Sequence, residues 1–248
     1  MMLKGNGTVV KNCLIVDNTV DSWTGAISIS LADNIVLSNN TIVNNEGNGI
    51  WLTHGAEVEI VGCTITDNSD NEIEIRGDDD DPSTITISYS NFQGEIITND
   101  NGTVNAGSGN INVAPMFVDA ENGDFNLLAS SRLINAGHPD STDSDGTRSD
   151  IGASYYHNTF SGPTWYVKID GSDLVGKGSS EEPFRSIQSA INFSDSGDSV
   201  SVYAGTFQER IHVGQKDIEI VGAGMDQTII DGELLGGFPN YGLYRAWT

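Results

Sequence analysis

Between Ala26 and Arg76 the chain repeats one short hydrophobic pattern three times. Ile27 and Ile29 alternate with Ser28 and Ser30, Ile50 and Leu52 with Trp51 and Thr53, and Ile73 and Ile75 with Glu74 and Arg76. Alternation with period two predicts a strand that buries one face. The interval is constant: 23 residues from Ile27 to Ile50 and 23 again to Ile73. A second predicted strand trails each first one. Asn40-Thr41-Ile42 begins 13 residues after Ile27, and Cys63-Thr64-Ile65 begins 13 after Ile50. Ser90-Asn91-Phe92 begins 17 after Ile73, the extra four residues being accounted for by the insertion DDDDPST at 78–84. Upstream, Cys13-Leu14-Ile15 opens the same pattern. Units of fixed period, built of several strands rich in Val, Ile, Asn and Gly with no helix signal, predict a solenoid.

These repeats resemble the right-handed parallel β-helix of the pectin-lyase-like superfamily, with its PbH1-type coils. The resemblance implies an all-β fold whose coils stack at about 4.8 Å. Ile, Val and Leu would point inward, and Asn and Cys would form ladders at the corners. Asn39, Asn40, Asn44 and Asn45 suit such corners, because Asn tolerates left-handed backbone and bonds its neighbours. Cys13, Asn40 and Cys63 would then share one ladder, with the cysteines two coils or about 9.6 Å apart. A disulfide needs Cα atoms within about 7 Å, so none is predicted, and both cysteines are expected to be buried fillers.

Regular coils fade after Glu95. Residues 115–156 resemble a closing segment common in secreted β-helix proteins, on the strength of Phe117-Val118-Asp119, Asn122-Gly123-Asp124-Phe125-Asn126-Leu127, Asn135-Ala136-Gly137 and Asp150-Ile151-Gly152-Ala153. The resemblance implies that this segment closes the open end of the solenoid. Residues 157–164 are polar and turn-rich. Beyond them Phe184, Ile187 and Ile191, preceded by Pro183, predict a short amphipathic helix near 183–193. Strands are predicted at 200–202, 211–213, 218–220 and 229–230. This half resembles the entrance to a second β-helix, as in DUF1565-type sequences and pectinesterases, through Tyr203-Ala204-Gly205-Thr206-Phe207 and Ile220-Val221-Gly222-Ala223-Gly224. The expected organisation is therefore final coils and closing segment at 1–157, a linker at 158–164, and the cap and first coils of a second helix at 165–248.

Charge narrows the partners. The 248 residues carry 35 acidic against 11 basic side chains, a formal net charge of −24. Such a surface repels phosphate backbones and anionic lipid, so neither nucleic acid nor a membrane surface is an expected partner. No stretch of about 18 apolar residues predicts a membrane span. Met1-Met2-Leu3-Lys4 runs into Gly5-Asn6-Gly7 with no apolar signal segment. The chain is expected to be part of a longer multidomain protein, extracellular or at the cell surface.

In pectate-lyase-like enzymes the substrate lies along an outer face, and alternation writes out one such face here. Ser28, Trp51 and Glu74 are expected in one outward column, with Ser30, Thr53 and Arg76 in the next and His54 on the adjoining turn. Trp51 would offer a ring face to a sugar, and Glu74 and Arg76 directional hydrogen bonds. In a lyase, calcium held by Asp78, Asp79, Asp80 and Asp81 would acidify a proton beside a uronate carboxylate, and Arg76 would remove it. A second calcium candidate is Asp143, Asp145 and Asp150 around Gly146, alternating carboxylates before a glycine. No other cofactor is implied. No Cys/His zinc spacing and no GK[ST] phosphate loop is present, and Gly222-Ala223-Gly224 opens no predicted helix. Three classes of function remain: a β-helix module that binds polysaccharide or another surface glycan without catalysis, a calcium-dependent lyase or hydrolase of acidic glycans, and a rigid stalk. An acidic polymer needs bridging cations to approach this surface, so the glycan is expected to be neutral or calcium-dependent.

Overall fold

Strands of the first half recur in threes. Coil one holds β1 (Met2–Leu3), β2 (Val9–Lys11) and β3 (Leu14–Val16). Coil two holds β4 (Gly25–Ser30), β5 (Ile35–Ser38) and β6 (Thr41–Val43), and coil three β7 (Asn48–Thr53), β8 (Glu57–Val61) and β9 (Thr64–Thr66). Coil four holds β10 (Ile73–Arg76), β11 (Thr84–Ser88) and β12 (Asn91–Phe92); β13 (Ile97–Asn99) and β14 (Thr103–Ala106) begin a fifth. The computed structural model describes residues 1–19, 24–76, 80–99 and 101–232. It divides into two units, Met1–Ser161 and Gly162–Thr248. The second strand that the sequence pattern predicted in each coil is in fact the third, and a strand the pattern did not isolate lies between.

Corresponding strands stack into three parallel sheets, ordered β1-β4-β7-β10-β13, β2-β5-β8-β11-β14 and β3-β6-β9-β12. Ile27 pairs with Ile50 and Ile50 with Ile73, so the 23-residue interval is the height of one coil in the first sheet. All three side chains are fully buried. Further inward columns run Val10-Leu37-Ile60-Ile87 and Ile15-Ile42-Ile65-Phe92. β-Branched residues suit such columns, since their stiff side chains pack on a pleated surface. The four-residue insertion enlarges the loop between β10 and β11 without shifting either register.

One corner explains why the coils stack in this register. Asn12, Asn39, Gly62, Tyr89 and Gly109 all adopt left-handed backbone. Each of the first four is followed by a residue whose N–H is donated to the side chain of the next coil. Cys13 N donates to Asn40 Oδ1 (3.0 Å), Asn40 N to Cys63 Sγ (3.4 Å), Cys63 N to Ser90 Oγ (3.1 Å) and Ser90 N to Asn110 Oδ1 (3.1 Å). A second corner repeats the device: Asn18 N donates to Asn45 Oδ1 and Asn45 N to Asn68 Oδ1. Neither cysteine is in a disulfide. Burial pushes the Cys63 thiol up to about 12, the mark of an inert structural thiol. Cys13 is half-buried, not buried as expected, because β3 is the edge of its sheet.

The closing segment departs from expectation more sharply. β15 (Phe117–Asp119) and β16 (Asp124–Leu127) form an antiparallel hairpin around a 3-10 turn at Ala120–Asn122. The segment does not join the core of the solenoid; it lies on the outer face of the third sheet. Ala153 N donates to Thr41 Oγ1 (2.9 Å), Gly152 N to the Gly62 carbonyl (2.8 Å), and Thr64 Oγ1 to the Ile151 carbonyl (3.3 Å). Thr41 and Thr64 face outward on β6 and β9, yet are buried beneath it. Its apolar residues Phe125, Leu127, Leu133 and Ile151 are buried there, outside the Ile and Val columns.

In the second unit β17 (Thr164–Val167), β18 (Ser199–Val202) and β20 (Glu219–Gly222) form one parallel sheet. β19 (Gly205–Gln208) and β21 (Thr228–Asp231) form another. The helix α1 spans Ile187–Phe193, shorter than predicted. Pro183 does not open it: Phe184 is extended, bridging to Val167, and Ser186 caps the helix by accepting the Ser189 N–H. The Glu209 carboxylate takes the first-turn N–H groups of Ile187 and Gln188, which have no acceptor within the helix. No strand forms at 211–213, because the Gln188 amide accepts the His212 N–H and donates to the His212 carbonyl, taking the bonds a ladder would use. Trp165, Phe184 and Phe193 stack together, and the Trp165 indole N–H donates to Asp198 Oδ2 at 2.8 Å.

Candidate functional site

Parallel pairing places the expected outer columns as the alternation predicts. Ser28 is beside Trp51 and Trp51 beside Glu74; Ser30 is beside Thr53, and Arg76 follows Ile75 on β10. What differs is their accessibility. Ser28, Thr53 and Glu74 are 5, 6 and 8 % exposed, so they are not surface groups. Trp51, Ser30 and Arg76 are half-buried and His54 is exposed.

Glu74 is the organising group. Its Oε1 accepts from Arg76 Nε at 2.9 Å and Asn99 Nδ2 at 3.2 Å, and its Oε2 from Asn48 Nδ2 at 3.0 Å and Asn71 Nδ2 at 3.5 Å. A buried carboxylate is tolerated only when paired and hydrogen-bonded, and these donors come from three successive coils. Asn48, Asn71 and Asn99 were not picked out from the sequence. Their trace was the interval itself, since Asn71 follows Asn48, and Asn99 follows Arg76, by 23 residues. On the neighbouring turn, His54 has left-handed backbone and its Nδ1 lies 3.3 Å from Ser30 Oγ.

Of the expected face residues, the buried Ser28, Thr53 and Glu74 form a fixed base, and Trp51, Ser30, Arg76 and His54 form the accessible set. Arg76 serves here as a cation and donor to Glu74, an arrangement that supplies hydrogen bonds to a ligand but no proton acceptor. Nearby, burial pushes the Glu72 carboxyl up to about 7, with Asp67 adding to the rise and the Asn68 amide at 2.6 Å opposing it. Asp78 and Asp79 lie outside the described residues. Asp80 and Asp81 are exposed, and the Asp81 carbonyl accepts the Gly55 N–H.

Asp143, Asp145 and Asp150 do lie together, in a loop organised by peptide N–H donors. Asp150 is 3 % exposed; its Oδ1 accepts Asn135 N at 2.7 Å and its Oδ2 Tyr156 N at 2.8 Å. Asp143 Oδ2 accepts the N–H of Asp150, and Asp145 Oδ1 accepts from Thr147. Arg148 donates to the Gly137 carbonyl. Burial pushes Asp150 up to about 7, against its two N–H donors and helped by Asp143 and Asp145. Among the described residues no three His, Cys, Asp or Glu side chains converge as a metal-holding group.

Residues 1–92 match the family model described as right handed beta helix region. Together with the three stacked parallel sheets, this identifies the architecture as a right-handed parallel β-helix, the hand expected of parallel crossovers. No curated protein and no solved structure matches the chain at the significance required.

Proposed function

We propose that the chain is a non-catalytic β-helix module, extracellular or at the cell surface, that presents the outer face of its first sheet to a neutral polysaccharide. The observation that carries this reading is the buried Glu74 carboxylate, which holds Arg76 by a 2.9 Å hydrogen bond and is itself paired in register with the half-buried Trp51 on the neighbouring strand. An indole face and an immobilised guanidinium are the pair of contacts that a sugar ring's C–H face and hydroxyls require. A fixed donor loses little freedom on binding, which favours affinity at a small contact area. The charge of −24 favours a neutral ligand over an acidic one.

Retention on a glycan array, with and without calcium, tests this reading. The expected outcome is binding to neutral polysaccharide that Trp51→Ala weakens about tenfold, the loss of roughly 1.4 kcal/mol. Glu74→Gln should weaken it too, by releasing Arg76. Binding of uronate polymers only with calcium, together with unsaturated uronate ends whose release Arg76→Ala abolishes, would favour the lyase instead. Absence of any retention would leave the module a rigid stalk, a role suited by the burial of Ser28, Thr53 and Glu74.

A further inference from the structure

The closing segment covers the third sheet unevenly. Leu14, Thr41 and Thr64 form one outward column on β3, β6 and β9. Thr41 and Thr64 are sealed, at 3 and 0 % exposed, whereas Leu14 is 47 % exposed. Beside it a cleft of about 440 Å³ stays open between the solenoid and the turn at 122–126. This is within the range of about 300–1,000 Å³ typical of small-ligand sites. Leu14 gives the cleft its exposed apolar surface, with the largely buried Phe125 also lining it; Asn12, Asn122, Asp124 and Asn126 give it polar groups.

The polar groups are ordered, and part of their capacity is unspent. Asp124 Oδ1 accepts both Asn126 N (3.0 Å) and Asn126 Nδ2 (2.8 Å), which fixes the carboxylate and leaves Oδ2 without a partner among the described residues. Asn122 Nδ2 donates to Asp119 Oδ2 (2.8 Å), leaving its amide oxygen. A held carboxylate among amides offers adjacent acceptors and donors, the complement of neighbouring hydroxyls on a ring. The exposed Leu14 side chain suits the C–H face of the same ring. The lining has one carboxylate and no cationic side chain, so an uncharged ligand is favoured over a uronate or a phosphate.

We propose that this cleft is a second ligand site, which takes a neutral hexose or pentose unit. It shares no residue with the Trp51 face and does not depend on it. The test is a titration of the ¹⁵N-labelled chain with the methyl glycosides of glucose, mannose, galactose and xylose, with glucuronate as the charged control. At least one neutral glycoside should give saturable amide shifts at residues 12–14, 122–126 and 153–154. Leu14→Arg and Asn122→Ala, both at exposed side chains, should each weaken that binding at least fivefold, while Trp51→Ala leaves it unchanged. No saturable shift at those residues with any neutral glycoside would overturn the proposal. So would unchanged affinity in both cleft variants, or tighter binding of glucuronate.

Discussion

Asn39 and Asn40 are adjacent and do different work. Asn39 supplies the left-handed turn, at φ 49°, and Asn40 supplies the ladder. The Asn40 side chain is fully buried; its Oδ1 accepts from Cys13 N and its Nδ2 donates to the Val10 carbonyl at 2.8 Å. Asn40→Ala strips a partner from each, and buried groups left unpaired cost about 1–3 kcal/mol apiece. Urea unfolding should therefore show a loss of roughly 2–4 kcal/mol with an unchanged m-value. Asn39→Gly should be nearly neutral, since glycine adopts the same backbone freely. Both roles were legible in the sequence, because corner asparagines recur with the strands. The burial of Glu74 was not: alternation says which way a side chain points, and says nothing of whether donors from three coils will close over it.

At the scale of elements, the first sheet was the legible one because its interval is a constant 23 residues from β4 through β7 and β10 to β13, after a step of 26 from β1. The second sheet steps by 27, 23, 27 and 19 residues from Val9 through Val36, Glu59 and Thr86 to Asn105, so β5, β8 and β11 leave no constant period to find. The resting place of the closing segment was hidden for another reason. Thr41 and Thr64 read as ordinary outward polar residues, and only tertiary docking buries them. That docked segment should respond to pH. Asp150 titrates near 7 in the folded chain against about 3.9 when unfolded. Between those values the folded state holds a proton that the unfolded state has lost, so stability falls as pH rises from about 4 to about 7 and levels off above. Glu72, also near 7, contributes with the same sign. Thermal unfolding of the parent between pH 4 and 8 should show this decline, and Asp150→Asn should flatten it. A variant as steep as the parent would remove Asp150 from the account.

For the first unit as a whole, the Trp51 face and the cleft both depend on winding: residues far apart in sequence are neighbours because each coil rests on the last. The outward column Val9, Val36, Glu59, Thr86 and Asn105 offers a ruler. Every member except the half-buried Val36 is exposed, so spin labels there disturb no core. With Cys13 replaced by serine and Cys63 shielded by burial, labels can be placed at position 9 and, in turn, at 59, 86 and 105. Pulsed dipolar spectroscopy should return distances that lengthen by about 4.8 Å for each coil crossed, although the sequence steps between those positions are unequal. The 9-to-105 pair, four coils apart, should be separated by about 19 Å along the axis, plus the reach of the labels. Distances that follow sequence separation instead of coil number, or that do not lengthen in order, would contradict the stacked solenoid and both faces built on it.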